Sequence, residues 1–297
     1  MIKTTIPTMN VDKIGIPMVP FPVDDMPRWK KFVFRFCIYH IVFPIVLPLL
    51  FLKSIKKTSL QYTLSTMKEL RRIVGDASKK PAQSYLQYQD KDLLSKIWKQ
   101  PSASPYVTQN ALEYQKREGY CGRSTMRNML KSYALFPKAL VPEPSSKPSS
   151  PESWTKVIHD LAEEHDEKMP FVETKIVRGD VSFEEFMDTI RSALVDPSCR
   201  IAVNYLRTAL IGFGSMSWIP GNYVLSLMGG HFSPIIGMHE GNKGEECMIA
   251  VFDVNHAYGG AYLVPARMLY ESVRATDLST QKSRALVVLT VGDDVTQ

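Results

Sequence analysis

The chain has 297 residues, of which 44% are hydrophobic and 22% charged, a composition typical of a globular protein with one large or two modest domains. The formal net charge is +6, but no basic stripe carries interleaved aromatic residues, so we predict no nucleic-acid partner. The four cysteines lie far apart without a CxxC pair or a Cys/His cluster, which argues against a zinc module and a disulfide framework.

An apolar run at residues 32–52 follows a proline-rich leader, 1–31, which shows no sustained period and is predicted to be irregular. The run matches the ~20 residues of a membrane-crossing helix, and lysines border both ends. Arg35 and His40 count against a lipid-facing span, and a buried core helix is the alternative. We predict a transmembrane or membrane-associated segment, spanning or re-entrant, with membrane lipid as a partner. Positive charge is slightly heavier after the run, which favours a cytosolic C-terminal domain.

A helical connector is predicted at residues 53–104, and the rest of the chain, 105–297, forms the second domain. The stretch 137–151 is rich in proline and serine and is predicted to be a surface loop. Helices are predicted at about 121–136, 153–165 and 182–194, the last opened by a capping-box pattern.

The pattern then changes to short apolar strands, with a short helix after Pro265. A helical half followed by an antiparallel sheet half predicts an α+β fold, with a seam between the halves where a site can form. Strands are predicted at 200–206, 231–238, 248–254, 262–264 and 285–291.

Cys121 lies where a loop reaches the first turn of the predicted helix at 121–136. Gly119 breaks any helical pattern before it, and Met126, Met129 and Leu130 follow at helical spacing. A thiol at a helix start faces unpaired N–H groups and the positive end of the helix dipole, and both favour the thiolate, the form that attacks carbonyls. A lone cysteine is more often a small buried residue, so this hypothesis depends on partners elsewhere.

His231 and Asp253 are the candidate partners. His231 begins one predicted strand, and Asp253 lies near the end of the next. In an antiparallel hairpin the start of one strand lies beside the end of the other, so the two side chains are expected to be neighbours. The acid would then orient an imidazole that draws the thiol proton.

Four short motifs occur together in this chain: Gly119-Tyr-Cys-Gly122, Gly230-His-Phe-Ser-Pro234, Phe252-Asp-Val254 and Val264-Pro265. In order and spacing they resemble the N-terminal catalytic domain of phytochelatin synthases over roughly residues 105–292. Members of that family are papain-like cysteine transpeptidases. The resemblance therefore implies a papain-like fold within the α+β class.

The resemblance assigns roles to the catalytic candidates. Cys121 would be the nucleophile that forms a γ-glutamylcysteinyl thioester after glycine leaves glutathione. His231 would be the general base and acid, and Asp253 its orienting partner. Gln115 would supply an amide N–H to the oxyanion, an interaction typically worth ~2.7–4 kcal/mol of barrier.

The resemblance also implies a substrate-binding set. Asn204 would lie near the γ-glutamyl group, with Gly230 beside the histidine. Asp277 and Arg284 would hold the α-amino and α-carboxylate ends of γ-glutamate, which suits a carboxylate and a guanidinium fork.

Two segments depart from the family pattern. Asn255–Gly260 replaces the usual basic residue and Tyr-Pro-Pro stretch, and Leu286 replaces an aromatic residue. The apolar stretch between Arg207 and His231 is unusually long and is open to being a lid, an oligomer contact or a second membrane-touching loop.

The predicted function is transfer of a γ-glutamylcysteinyl unit from glutathione to a thiol peptide, which is phytochelatin synthesis in metal-ion detoxification. The alternatives are hydrolysis that releases glycine, a catalytically silent membrane-tethered binding protein, and a protein-directed cysteine protease. Glutathione or γ-glutamyl thiol peptides are the predicted partners, with a homo-oligomer left open. No covalently bound cofactor and no protein metal ligand is predicted; a divalent ion, Cd²⁺ or Zn²⁺, would arrive as a glutathione thiolate complex.

Overall fold

The computed structural model describes residues 11–13, 15–19, 27–37, 41, 43–82, 90–165, 170–213, 226–242, 245–256 and 260–292. Helices dominate the first half and an antiparallel sheet the second, which confirms the predicted α+β class. The helices are α1 Arg28–Cys37, α2 Phe43–Lys57, α3 Leu60–Lys79, α4 Lys91–Trp98, α5 Ser104–Thr108, α6 Cys121–Ser132, α7 Pro151–Glu164, α8 Phe183–Val195, α9 Thr208–Ile211 and α10 Ala266–Arg274. The strands are β1 Phe171–Arg178, β2 Cys199–Leu206, β3 Gly230–His239, β4 Met248–Phe252, β5 Ala261–Pro265, β6 Thr276–Asp277, β7 Lys282–Ser283 and β8 Ala285–Gly292.

Six strands form one sheet in the order β1-β8-β2-β3-β4-β5, and all neighbouring pairs are antiparallel. The short strands β6 and β7 form a separate hairpin, which we call the β6–β7 hairpin. The central strands are buried along nearly their whole length because helices cover both faces of the sheet. The sheet is therefore a rigid frame between two helical layers.

Successive side chains of β2 point to opposite faces of the sheet, and this determines which of them lie on the side of α6. Ile201, Val203 and Tyr205 belong to the apolar core that includes residues of α8 and α10, and Ala202 belongs to the core that includes residues of α6. Because successive strand residues point to opposite faces, Asn204 points to the α6 side with Ala202. The strand thus carries a polar side chain to the face where Cys121 lies.

The described residues do not support the prediction of a spanning segment at 32–52. The described part of this run belongs to two helices, α1 of 10 residues and α2 of 15 residues, while 38–40 and 42 lie outside the described residues. Among the helices of the described ranges, none has both the length and the apolar character needed to cross a bilayer.

The leader is also more ordered than predicted. Val11 and Pro17 form an isolated β-bridge, and Val19 is buried in the core that includes α6. The end of the predicted leader already belongs to α1. The parts at 1–10, 14 and 20–26 lie outside the described residues.

Helix and strand boundaries otherwise follow the sequence closely. Ser182 caps α8 by accepting a hydrogen bond from the Glu185 N–H, as the capping-box pattern predicts. The Cys121 helix ends at Ser132, one turn earlier than predicted. We predicted only a connecting stretch where strand β1 lies. The sequence of β1 has few strongly apolar residues between those that face outward, so its strand pattern is weak.

Candidate active site

Cys121 is the first residue of α6. Gly119 adopts a φ of +85°, a left-handed conformation that glycine reaches without a Cβ clash, and this turn delivers the chain to the helix start. Tyr120 occupies the N-cap, and its side chain makes no capping hydrogen bond to the first N–H groups of the helix. The Cys121 thiol therefore lies at an uncapped, positive helix end, as the sequence predicted.

His231 and Asp253 are neighbours, as the hairpin argument predicted. His231 Nε2 lies 2.7 Å from Asp253 Oδ1, and both side chains are buried. The backbone N–H of Asn255 donates to the same Oδ1 at 2.8 Å, and the Asp253 N–H donates to the Gly260 carbonyl at 2.9 Å. The end of β4 thus fixes the carboxylate, and the carboxylate fixes the imidazole.

The Cys121 and His231 side chains perturb each other's protonation. Burial alone raises the pKa of the Cys121 thiol, but the charge and hydrogen bond of His231, together with a backbone hydrogen bond from Phe232, lower it below its ordinary value. Burial lowers the pKa of His231, yet Asp253 and Cys121 outweigh it and raise that pKa to about 9. Each shift favours a thiolate–imidazolium pair over two neutral groups.

Asp253 stays ionised in this buried position. Burial raises the pKa of its carboxyl, but His231, with a further contribution from Arg207, lowers it below the ordinary value. The Tyr205 ring meets the imidazole edge-on, with centroids 5.6 Å apart. The imidazole is therefore held by a carboxylate at one nitrogen and by an aromatic ring at its side.

Gln115 lies on the loop before α6, with its side chain buried and its Oε1 without a hydrogen-bond partner in the described part of the chain. Its backbone N–H donates to the Val254 carbonyl at 2.7 Å, one residue beyond Asp253. Asn128 of α6 holds the same loop, because its amide accepts from the Glu113 N–H and donates to the Glu113 carbonyl. The role of the Gln115 side chain as an oxyanion donor remains a prediction.

Sequence reasoning missed the contacts that fix Gly122, the residue after Cys121. A Cβ on Gly122 would collide with the Pro148 carbonyl oxygen, so the loop at 141–150 approaches the Cys121 helix more closely than any other residue allows. The Trp154 indole donates to the Gly122 carbonyl at 3.2 Å. The only signal in the sequence is the Cys-Gly dipeptide, since the partners are more than twenty residues away.

Arg284, Asn204 and Gly230 converge next to His231. Arg284 is buried and donates to the Ala275 carbonyl at 2.6 Å and to the Met228 carbonyl at 3.4 Å, while its Nε has no hydrogen-bond partner among the described residues. A Cβ built on Gly230 would lie 3.6 Å from Asn204 Nδ2 and 3.8 Å from Arg284 Nε. The open side of Gly230 therefore faces an amide and a guanidinium.

The guanidinium of Arg284 lacks an acidic partner at contact distance. Across the described ranges, no carboxylate oxygen forms an ion pair with it. Burial lowers the pKa of Arg284 to about 10, and the charge of Asp277 partly opposes that shift. A buried cation in this condition is stabilised by an anion that enters the site.

Asp277 occupies the β6–β7 hairpin. Its Oδ1 accepts hydrogen bonds from the Ser279 N–H and hydroxyl, both at 2.7 Å. The carboxylate thus caps its own turn, a role the sequence did not suggest. Its predicted contact with a substrate ammonium stays a prediction.

The N-terminal helices support the β6–β7 hairpin. Lys57 of α2 donates to the Thr280 carbonyl at 2.7 Å, and the Gln281 amide donates to the Ser54 hydroxyl. Apolar residues of α3 pack in one core with Ala275, whose carbonyl accepts from Arg284, and with Leu227, the residue before Met228. The shared core comprises Leu70, Ile73, Val74, Leu206, Ala209, Leu227, Ala275 and Leu278.

A thiol at a helix start, paired with an imidazole that a buried carboxylate holds, is the arrangement found in enzymes that use a cysteine nucleophile. A family model described as phytochelatin synthase matches residues 157–286. This match over residues 157–286 confirms the resemblance to the phytochelatin synthase family that the motifs predict. No curated protein matches the chain.

The family match includes His231, Asp253 and all four predicted substrate-binding residues, and it begins after Gln115 and Cys121. The structure joins the two parts, since α6 packs on β2 and β3 of the matched stretch. Within the described residues, no group of three or more His, Cys, Asp or Glu side chains is arranged to hold a metal ion.

Proposed function

We propose that the chain transfers a γ-glutamylcysteinyl unit from glutathione to a thiol peptide through a thioester on Cys121. The family match supports glutathione as the substrate. The observation that carries the proposal is the 2.7 Å contact of His231 Nε2 with Asp253 Oδ1, beside a thiol whose pKa is lowered. A papain-like arrangement of α6 against the sheet is consistent with this chemistry.

The acylation step begins from the thiolate–imidazolium pair. Cys121 Sγ attacks the carbonyl carbon between the cysteine and glycine of glutathione, and the oxygen becomes an oxyanion. The helix-start N–H groups and the Gln115 amide would stabilise that oxyanion. When the C–N bond breaks, the imidazolium of His231 gives its proton to the leaving glycine nitrogen, which leaves a thioester and a neutral imidazole.

The second step uses the neutral imidazole as a base. An amine of the acceptor peptide attacks the thioester carbonyl while His231 takes its proton. The C–S bond then breaks and returns Cys121 as a thiolate. Asp253 keeps its charge throughout and stabilises the imidazolium that forms in each cycle.

Arg284, Asn204 and Gly230 would hold the γ-glutamyl end. The substrate α-carboxylate would meet the guanidinium of Arg284, whose Nε has no partner among the residues that the structure describes. Asp277 would receive the α-ammonium. Cd²⁺ or Zn²⁺ would enter as part of the substrate, as a complex with glutathione thiolates.

Water is the alternative acceptor, which would make the chain a glutathione hydrolase. The segment Asn255–Gly260 follows Asp253 directly and departs from the family pattern on this side. Residues 257–259 of it lie outside the described residues. An experiment must therefore distinguish water from a thiol peptide as the acceptor.

The test incubates the purified full chain with glutathione, with and without Cd²⁺ or Zn²⁺, and follows the products by mass spectrometry. Oligomers of γ-Glu-Cys support the transferase, and free glycine with γ-Glu-Cys alone supports the hydrolase. Cys121→Ser must abolish either reaction, whereas the matched Cys247→Ser, a half-buried thiol outside the site, must not. Turnover that survives Cys121→Ser would overturn both mechanisms.

A further inference from the structure

Helix α1 presents one apolar stripe to the outside of the molecule. Trp29, Phe32, Val33 and Phe36 lie at the i, i+3, i+4 and i+7 positions of one helical face. Each of these side chains is between 47% and 69% exposed. In a globular domain such a stripe is normally the face that packs inward.

Helix α2 repeats the pattern. Ile45, Leu49 and Leu52 lie on one face and are 59–60% exposed. The end of the same helix is anchored to the body of the protein through Ser54 and Lys57. These contacts hold α2 against the rest of the protein while its apolar stripe stays exposed.

The segment at residues 28–68, which runs from α1 into α3, carries charges of one sign only. Residues 28–68 contain eight lysines and arginines and no aspartate or glutamate. The rest of the chain holds 28 basic and 30 acidic residues, so this segment accounts for the whole positive balance. Lys30, Lys53 and Lys56 are exposed beside the stripes. Exposed apolar stripes with basic flanks match the chemistry of a lipid surface that carries anionic headgroups.

We propose that α1 and α2 lie in the plane of an anionic lipid surface, with their apolar stripes in the headgroup–acyl boundary and their lysines on the headgroups. The lengths of 10 and 15 residues suit this position, since a helix in the membrane plane does not need to cross ~30 Å of hydrocarbon. Trp29 near the start of α1 suits the headgroup level, where indole rings are enriched.

A second copy of the chain fits this surface less well. Pairing two such faces would bring eight positive charges of one segment against eight of another without an acidic residue between them. A lipid surface supplies the missing negative charge. The charge balance therefore favours lipid over self-association.

The test is sedimentation of the purified full chain with vesicles of phosphatidylcholine, with and without phosphatidylserine. We expect binding to the anionic vesicles that weakens at high salt and is reversed by alkaline carbonate. Lys53→Gln and Lys56→Gln should each weaken the partition by about fivefold. Leu49→Glu should weaken it by at least about tenfold.

Leu135→Glu is the matched control, because Leu135 is 62% exposed on another part of the surface. It should bind vesicles like the parent chain, and thermal melts should show that both leucine variants are folded. Three results would overturn the proposal: a parent chain that stays in the supernatant with anionic vesicles, binding that resists carbonate, or a Leu49→Glu chain that binds as well as the parent.

Discussion

The two ends of the candidate site differ in how their charges are paired. At the cysteine end, Cys121, His231 and Asp253 lie together, and each shifts the pKa of another toward its charged form. At the other end, Arg284 is also buried, but within the described ranges it has only carbonyl oxygens as partners and its Nε has none. The charges at the cysteine end are paired with one another, which suits catalysis. The buried positive charge of Arg284 suits the binding of an anionic group.

This difference predicts that substitutions at the cysteine end lower kcat and that substitutions at the arginine end raise KM. The largest effect is expected for Asp253→Asn, with a loss of roughly 10⁴-fold in kcat, because an amide does not hold the imidazole in the same tautomer or stabilise its charge. Steady-state kinetics at saturating glutathione measure it. A fall confined to KM would contradict the division between the two ends.

The same variant tests the pH dependence. In the parent chain, activity should fall as pH rises through about 9, because His231 then loses the proton that the leaving nitrogen needs. Asp253→Asn removes the charge that raises this pKa, so the alkaline limb should move to lower pH. An unmoved limb would show that another group controls it.

Gln115→Ala is expected to lower kcat by about 10²–10³-fold, the usual effect of one oxyanion donor, with KM and melting temperature unchanged. Gln109→Ala is the matched control, since Gln109 lies on the preceding turn at the end of α5 and has no role in the site. Equal losses in both variants, or a lower melting temperature for Gln115→Ala alone, would point to a structural role.

Arg284→Lys is expected to act on binding. It keeps a positive charge but loses the guanidinium fork, which should cost about 1.5–3 kcal/mol, or roughly 10–150-fold in KM. The control is Arg200→Lys, a buried arginine that bonds Ser132 and the Pro197 carbonyl instead. That change should lower the melting temperature and leave KM alone. An unchanged KM for Arg284→Lys would remove the arginine from the binding end.

The smallest effect is expected for Gly230→Ala. The added Cβ makes only ordinary contacts with Asn204 and Arg284, so the fold should be unaffected. It would occupy space meant for the γ-glutamyl group and raise KM by about tenfold. Gly292→Ala, where a Cβ meets nothing within 4 Å, is the matched control. Identical KM values for the two variants would contradict the placement of the substrate.

Much of the cysteine end was predictable from sequence because its rules are local. Gly119 before Cys121 and Ser182 before its helix act within a few residues. His231 and Asp253 are 22 residues apart, and their meeting follows from the pairing of two neighbouring strands. The family motifs added Gln115 and the binding set. The binding role of Asp277 was assigned by likeness alone, and the turn that its carboxylate caps was not foreseen.

The N-terminal region shows the limit of that reasoning. Counting apolar residues at 32–52 predicted one membrane helix, whereas among the described residues no helix is long and apolar enough to span a bilayer, and α1 and α2 carry exposed apolar stripes. Composition measures how apolar a run is, but it does not show which distant residues hold that run against the rest of the protein. The contacts of Ser54 and Lys57 with Gln281 and Thr280 span more than two hundred residues.

The sequence by itself determined the α+β class, the helix-start thiol, and the histidine and aspartate that join it, since these follow from short-range pattern. Only the tertiary structure decided that Arg284 is a buried cation with no carboxylate partner in the described part of the chain, that Trp154 and Pro148 hold Gly122, and that the apolar stripes of α1 and α2 face outward. Each of those facts depends on groups distant in the chain meeting or failing to meet, which no local pattern records.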